Sequence, residues 1–260
     1  MKKTFPLKSL LVSMAVASSA AFSIAPATTQ AEVTGNMGAV TQYYVFGLKQ
    51  TDAAAAQGGI DYAHDSGFYL GTWASSLQNE TETGVSQGQG IEYDFYGGWG
   101  GSFGDVDLGV GATYYGYSRD YKGSDPWWDS SYMEANLSLG YKFLSFDAAL
   151  GEHEAANEKV SGSTNKDQSY QRYALTASYE GLSATYGIGR DFLGQVNNGA
   201  GNGSTDHSWY EISYSTNVAD MFDASISYIS TDIDKNDDTG WESDDDQALI
   251  FGVTKTFNIM

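Results

Sequence analysis

The sequence contains no cysteine, little proline and few basic residues. Without cysteine the chain can form neither a disulfide framework nor a thiolate metal site. Of its three prolines, Pro6 and Pro26 lie near the N-terminus, and only Pro126 follows residue 31. Since proline interrupts strand pairing, a chain with little proline and with 31 glycines and 19 tyrosines favours paired strands over helices.

Basic residues are far outnumbered by acidic ones. The chain has 13 Lys and Arg against 33 Asp and Glu, for a formal net charge of −20 at pH 7. Three of the lysines, Lys2, Lys3 and Lys8, belong to the N-terminal leader. A chain this acidic repels nucleic acid and attracts cations, so nucleic acid is excluded as a partner.

The N-terminal residues have the order of a secretory signal peptide. Basic residues come first, an apolar run extends from Leu10 to about Ile24, and small residues precede Glu32. We predict cleavage after Ala31, with Ala27 as the second choice. The sequence thus predicts a signal peptide over residues 1–31, export to the periplasm, and one domain over residues 32–260.

Beyond the leader, no apolar run approaches the roughly 18 residues that indicate a spanning helix. The mean hydropathy of −0.36 also indicates a polar chain. Transmembrane strands, however, are apolar only at every second position, so a barrel can span lipid while its average composition stays polar. Hydropathy therefore leaves a soluble and a membrane-spanning β-structure both open.

Alternation of apolar and polar residues is the main structural signal. In residues 131–153, Leu137 and Leu139 share one face while Glu134 and Ser138 share the other. Most such segments approach the roughly 9–11 residues that a tilted strand needs to cross a bilayer. The pattern predicts about twelve strands, near 33–50, 57–63, 67–77, 90–101, 104–117, 131–142, 144–152, 169–180, 182–190, 207–216, 222–231 and 247–257.

Short and long connections alternate between these segments. The short ones lie at 64–66, 102–103, 143, 181 and 217–221, and the long ones at 78–89, 118–130, 153–168, 191–206 and 232–246. The pattern predicts an all-β fold, a transmembrane up-and-down antiparallel β-barrel of about twelve strands. Short periplasmic turns would join its strands at one rim and long extracellular loops at the other.

The polar face decides between a soluble and a membrane barrel. It carries small uncharged residues such as Gly109, Thr113, Asn136 and Ser138, whereas a soluble surface usually mixes many charges. Small polar groups suit a lumen, and we therefore expect the apolar face to contact lipid in a bacterial outer membrane. The partners expected there are outer-membrane lipid and lipopolysaccharide, and the barrel-assembly machinery.

Two stretches resemble a known family. They are "TQYYVFGLKQTDAAAAQGGIDYAHDSGFYLGTWASSL" from residue 41 and "IEYDFYGGWGGSFGDVDLGVGATYYGY" from residue 91. Both resemble the TorF-family putative porins of Gram-negative bacteria, whose first segment reads Ser-Asp-Tyr-x-Phe-Arg-Gly followed by Gln-Thr. Tyr43, Gly47, Gln50 and Thr51 fit that pattern, but Gln42 and Phe46 replace its Asp and Arg. The resemblance implies an outer-membrane barrel with a pore, and it supplies no catalytic residues.

Face parity assigns eight acidic and two basic side chains to the lumen. Rings of acidic side chains favour cations in pores, so an open lumen should prefer cations. A barrel of about twelve strands lies between filled and open sizes, so a plugged interior stays an alternative. The constriction is expected from loop 118–130, with Trp127 and Trp128, or from another long loop. The predicted pore-lining residues are Glu92, Asp94, Asp105, Asp107, Glu134, Lys142, Asp147, Arg172, Glu211 and Asp223.

An acidic stretch at 230–247 is the one weak candidate for a metal site. Its spacing fails the EF-hand pattern, because Thr239 stands where that loop needs glycine. A solvated loop is the favoured interpretation. The three histidines, His64, His153 and His207, are scattered, so neither a metal centre nor a catalytic triad is expected, and no cofactor. The candidate acidic residues are Asp232, Asp234, Asp237, Asp238, Asp244 and Asp245.

Three functions fit these patterns to different degrees. The leading one is a porin-like channel for passive diffusion of small hydrophilic solutes. The alternative is a structural or surface-interaction barrel that transports nothing. An outer-membrane lipid hydrolase ranks far lower, because no serine and histidine are adjacent on the predicted outer wall, and we expect no enzyme.

Overall fold

The computed structural model describes most of the predicted domain. It covers residues 31–80, 86–119, 131–153, 168–192, 196–197, 202–203, 206–233 and 246–260. Residues 1–30 of the predicted signal peptide and parts of several long loops lie outside these residues. Within the part of the chain described, no helix is long and apolar enough to cross a membrane.

The described residues form sixteen strands, twelve of which build the barrel. Their bounds are β1 Glu32–Val40, β2 Tyr44–Val45, β3 Leu48–Lys49, β4 Ala55–Ala63, β5 Phe68–Glu80, β6 Ser86–Phe103, β7 Val106–Arg119, β8 Tyr132–Tyr141, β9 Leu144–His153, β10 Gln168–Tyr179, β11 Leu182–Arg190, β12 Val196–Asn197, β13 Asn202–Gly203, β14 His207–Val218, β15 Phe222–Ile233 and β16 Asp246–Asn258.

The twelve barrel strands close into one antiparallel up-and-down sheet. Their order around the wall is β1, β16, β15, β14, β11, β10, β9, β8, β7, β6, β5 and β4. Strand β1 closes the barrel by pairing with β4 on one side and with β16 on the other, so that Val40 faces both Ala55 and Gly252. Closure leaves no unpaired sheet edge. The predicted all-β barrel of about twelve strands is confirmed.

The two rims of the barrel differ in their connections. Short turns at 64–67, 104–105, 142–143, 180–181 and 219–221 lie at one rim, and the other connections between barrel strands lie at the opposite rim. Both ends of the described chain reach the short-turn rim, where Val33 N–H donates to the Met260 carbonyl at 3.1 Å. The alternation of short and long connections follows the sequence pattern.

The apolar face points outward. Val110, Leu137 and Leu175 are 44%, 37% and 53% exposed, instead of packing together in a dry interior. Six of the exposed aromatic side chains lie near the short-turn rim, where membrane barrels carry an interfacial girdle. They are Phe103, Tyr141, Phe143, Tyr179, Tyr214 and Phe257.

The first predicted strand, 33–50, is wrong beyond Val40. Strand β1 ends there, and residues 41–54 fold into the barrel as the lumenal hairpin, which contains the short strands β2 and β3. Positive φ angles at Phe46 (49°) and Gly47 (88°) reverse the chain between those strands. The four consecutive apolar residues at 43–46 are all buried. A single strand of the wall would instead place alternate members of that run on opposite faces.

Candidate functional site

The lumenal hairpin is closed by its own hydrogen bonds. The Tyr43 carbonyl accepts from the backbone N–H of Gln50 at 2.8 Å and of Thr51 at 3.3 Å. The Thr51 hydroxyl accepts from the Tyr43 N–H at 2.9 Å and donates to the Ala53 carbonyl at 2.7 Å. Tyr43, Gln50 and Thr51 are three of the residues that carry the family resemblance. Their spacing thus serves to fold this hairpin.

The tip of the hairpin is held by strands β14 and β15. His207 Nε2 lies 2.9 Å from the Phe46 carbonyl, and the Thr231 hydroxyl donates to the Gly47 carbonyl. A Cβ atom on Gly47 would lie 2.6 Å from Cβ of Trp209. The tip therefore contacts the wall so closely that only glycine fits at position 47.

The Phe46 side chain reaches a different part of the wall. The Arg172 guanidinium of β10 lies 3.5 Å from the centre of its ring, which is a cation–π geometry. The rings of Tyr115 and Phe192 pack edge-on at 6.5 Å and 5.6 Å. Since β7, β10 and β14 all contact the tip, the hairpin extends across the lumen.

Apolar residues of the hairpin pack against β15 and β16. Tyr44 and Val45 are buried with Ile229 and Ile250, which point inward from these strands. The Tyr44 hydroxyl donates to Asp246 at 2.9 Å, and burial raises the pKa of that hydroxyl, which stays protonated. The long-loop half of the lumen is therefore filled by a packed core in the described structure.

Three buried carboxylates lie beside the hairpin, and we call Glu92, Asp94 and Glu134 the acidic cluster. All three are at most 1% exposed. Glu92 accepts from the Tyr43 hydroxyl at 3.0 Å. Burial, reinforced by the carboxylates of Glu92 and Asp94, raises the pKa of Tyr43 well above its usual value. Tyr43 is therefore a permanent donor to the cluster.

Glu134 is the member of the cluster with the most partners. It forms an ion pair with Arg172 at 3.0 Å, and it accepts from the Tyr170 hydroxyl at 3.1 Å and the Tyr115 hydroxyl at 3.3 Å. The Asn136 amide donates to it at 3.3 Å. Buried ionised groups need such compensation, and Arg172 is the only buried lysine or arginine among the described residues.

The short-turn half of the lumen is lined by polar side chains. Pairs of small hydroxyl groups cross neighbouring strands, as between Thr176 and Thr185 at 2.9 Å and between Ser183 and Ser213 at 2.7 Å. Asp147 accepts from Ser138 and is partly exposed. This half offers hydroxyl and carboxylate groups to whatever occupies the lumen.

Eight of the ten predicted pore-lining residues lie on the inward face of strands. Asp107 and Asp223 sit near the short-turn rim, where they accept from Ser102 at 2.5 Å and from Asn217 at 3.0 Å. The other six inward residues are Glu92, Asp94, Glu134, Asp147, Arg172 and Glu211.

The remaining two predicted residues lie in turns. Asp105 is exposed in the 104–105 turn, and Lys142 is exposed in the 142–143 turn with its ammonium 4.9 Å from the centre of the Tyr141 ring. Parity placed them in the lumen because it extended the strands by one or two residues. The structure corrects both positions to the rim.

Most of the other sequence candidates fall outside the described residues. This holds for Trp127 and Trp128 of the expected constriction loop. It holds also for the acidic residues Asp234, Asp237, Asp238, Asp244 and Asp245. Of that acidic set only Asp232 is described, and it is exposed near the end of β15. Over the described ranges, no three His, Asp or Glu side chains are grouped so that they could hold a metal ion.

Sequence reasoning missed the aromatic residues that form the site. Tyr115, Tyr170 and Trp209 point inward from β7, β10 and β14, but none of them was singled out as a candidate. His207 was assigned no role from the sequence, because the three histidines are far apart in the chain, yet His207 is buried and its ring contacts the Phe46 carbonyl. The available signal was the run of four apolar residues at 43–46, which breaks the alternation and indicates burial on all sides.

Comparison with known proteins places the chain in a family. A family model described as a bacterial protein of unknown function, Gcw_chp, matches residues 24–257. The chain belongs to the Gcw_chp family. The match covers the lumenal hairpin and nearly the whole barrel of this Gcw_chp protein. No curated protein matches its sequence. The TorF family named by the resemblance is not confirmed by these comparisons.

Several solved structures are similar to this Gcw_chp barrel. The KdgM porin has a TM-score of 0.49 and 8% identity, over 87% of this chain and 99% of that one. OpdK from Pseudomonas aeruginosa has a TM-score of 0.41 and 16% identity, over 79% of this chain and 57% of that one. OccAB4 from Acinetobacter baumannii has a TM-score of 0.44 and 11% identity, over 87% and 62%. The chain spans about three fifths of the latter two.

Proposed function

We propose that this Gcw_chp protein is a porin-like channel similar to the TorF-family putative porins. It would reach the bacterial outer membrane after export, with its signal peptide removed. Small hydrophilic solutes would cross it by passive diffusion. One observation carries the proposal: a closed barrel of twelve strands whose outer face is apolar and whose inner wall carries acidic side chains, with a polar short-turn half. Such a wall suits lipid on one face and water on the other.

The exposed apolar face supports the membrane location. Side chains such as Leu70, Leu150 and Phe251 are each more than half exposed, and in water they would form a large unfavourable patch. In lipid, the same side chains are in a favourable solvent. The closed hydrogen-bond ladder supports this location too, since lipid cannot satisfy an open sheet edge.

The charges of the inner wall support a preference for cations. Seven of the predicted acidic side chains, and Arg172, lie on the inward faces of the strands, and Asp61 and Asp246 lie there too. Acidic side chains lower the energy of a passing cation and raise that of an anion, because the surrounding protein screens charge poorly. The lumenal hairpin occupies the long-loop half, so the solutes are small.

Reversal potentials in planar bilayers test the proposal. In a potassium chloride gradient, we expect small conductance steps with a cation-selective reversal potential. Asp147→Asn removes an accessible lumenal charge and should lower the ratio of potassium to chloride permeability. Asp220→Asn, in an exposed turn at the rim, is the matched control and should leave the ratio unchanged. Absence of steps would refute the channel, and anion-selective steps would refute the cation preference.

A barrel that transports nothing is the second candidate. The packed core around Tyr44, Ile229 and Ile250, each at most 1% exposed, favours it. This candidate predicts that liposomes containing the protein do not swell in any of a graded set of sugars, amines and acids. Swelling with the smallest solutes alone would favour the narrow channel.

A further inference from the structure

Asp94 is buried without a hydrogen-bond partner. Its side chain projects inward from β6 at 0% exposure, and neither carboxylate oxygen has a partner. It lies within electrostatic reach of Glu92 and Glu134, the other members of the acidic cluster. A buried acceptor of this kind requires an explanation, such as a bound ion or an ordered water.

The neighbouring donors are already used by the other two carboxylates. The Tyr43 hydroxyl donates to Glu92, and the Tyr115 and Tyr170 hydroxyls donate to Glu134. Arg172 also binds Glu134. Within the described ranges, Asp94 therefore faces acceptors and committed donors, and a group from outside those residues would satisfy it.

The charge of the cluster favours a cation over water as that group. Three carboxylates and one guanidinium leave two negative charges when all four groups are ionised. Water can satisfy a hydrogen bond but does not compensate charge, and uncompensated buried charge is costly. A cation beside Asp94 would be coordinated by the Asp94 oxygens and would supply part of the missing positive charge.

The geometry points to a monovalent ion. Divalent calcium takes six to eight oxygen ligands, often from several carboxylates. No grouping of three metal-binding side chains is found in the described residues. These observations suit an ion that needs few formal charges around it.

We propose that Asp94 binds one alkali metal ion beneath the lumenal hairpin, and that the charges of Glu92 and Glu134 favour the ion without all three carboxylates coordinating it. This inference deepens the proposed channel function and rests on its preference for cations. The bound ion would also stabilise the hairpin, because the Tyr43 hydroxyl links the hairpin to Glu92 of the same cluster.

Thallium(I), a heavy substitute for potassium, tests the site directly. Crystals of the full mature chain would be soaked in thallium(I) acetate and measured for anomalous scattering. We expect a peak in contact with an Asp94 oxygen in the wild type and no peak there in Asp94→Asn. A water at this position without an anomalous signal, or a peak that persists in the variant, would overturn the proposal.

Thermal unfolding in detergent provides a second readout. Replacing N-methylglucamine by potassium at equal ionic strength should raise the Tm of the wild type, since an ion bound only to the folded state stabilises it. The rise should disappear in Asp94→Asn and persist in the exposed-turn control Asp220→Asn. Heat-dependent gel mobility would verify folding of each variant. If Asp94→Asn fails to fold, the presence or absence of the wild-type thallium peak decides.

The outcome for the site is separable from that for the channel. A peak at Asp94 in a protein that never conducts would support the site and refute the proposed channel. Conductance without a peak would support the channel and refute the site.

Discussion

At the scale of single residues, Gly47 links the backbone of the hairpin to the wall. Its φ of +88° is unfavourable for other residues, and a Cβ atom there would meet the Trp209 side chain at 2.6 Å. Gly104 has a similar φ of +68° but nothing within 4 Å of its Cβ position. Substitutions at these two glycines therefore distinguish the cost of a left-handed backbone, which both share, from the cost of a steric clash, which only Gly47 would have.

We predict different outcomes for alanine at these two positions. Gly104→Ala should cost about 1–2 kcal/mol, from the left-handed backbone alone, and leave conductance unchanged. Gly47→Ala should cost more and increase conductance, because the hairpin must move away from Trp209. Urea unfolding and bilayer recordings would measure both. Equal losses of stability with equal conductance would show that the Trp209 contact does not hold the hairpin.

The alternation of residues assigned side chains to the correct face inside strands and to the wrong place at strand ends. Glu92, Asp94 and Glu134 point inward as predicted, because each lies well inside a strand whose faces alternate. Asp105 and Lys142 were misplaced, because two-residue turns begin before the alternation visibly stops. The sequence could not predict which carboxylates have hydrogen-bond or ion-pair partners, because Arg172 and the tyrosines that supply those partners lie on other strands.

At the scale of elements, the lumenal hairpin is an insertion between two strands that already meet. Val40 and Ala55 are paired across β1 and β4, so a two-residue turn could join them directly. The fourteen residues between them are therefore unnecessary for closing the barrel. They serve to fill its interior.

Replacing residues 41–54 by Asn-Gly should open the lumen. The type I′ turn favoured by Asn-Gly matches the twist of paired strands, so the barrel should still assemble. We expect larger conductance steps than in the wild type and normal heat-dependent gel mobility. Replacing Gly104-Asp105 by Asn-Gly at the opposite rim is the control and should leave conductance unchanged. Unaltered conductance in a folded hairpin deletion would mean that the hairpin does not narrow the lumen.

At the scale of the whole molecule, the apolar side chains of the barrel wall point outward, whereas those of a soluble protein point into its core. Val106 and Val110 share the outward face of β7 and are 42% and 44% exposed. Val106 begins the strand at the short-turn rim, whereas Val110 lies four residues further in. In a bilayer these positions differ in depth, although in water they would be equivalent.

Arginine at these two positions should report that depth. Val110→Arg should cost about 2–4 kcal/mol of folding stability in lipid vesicles, and Val106→Arg about 0–1 kcal/mol, because a charge near the midplane is poorly solvated. Reversible unfolding from vesicles by guanidinium would measure both. Similar costs at the two depths would contradict the membrane-spanning orientation.

The sequence by itself determined the strand count, the alternation of rims and the orientation of the two faces. Each of these depends on neighbours along the chain: a period of two within strands, and the lengths of the connections between them. The tertiary structure alone decided that residues 41–54 enter the lumen and that the acidic cluster lies beneath them. Those features depend on contacts such as that between Phe46 and Arg172, which only barrel closure brings together.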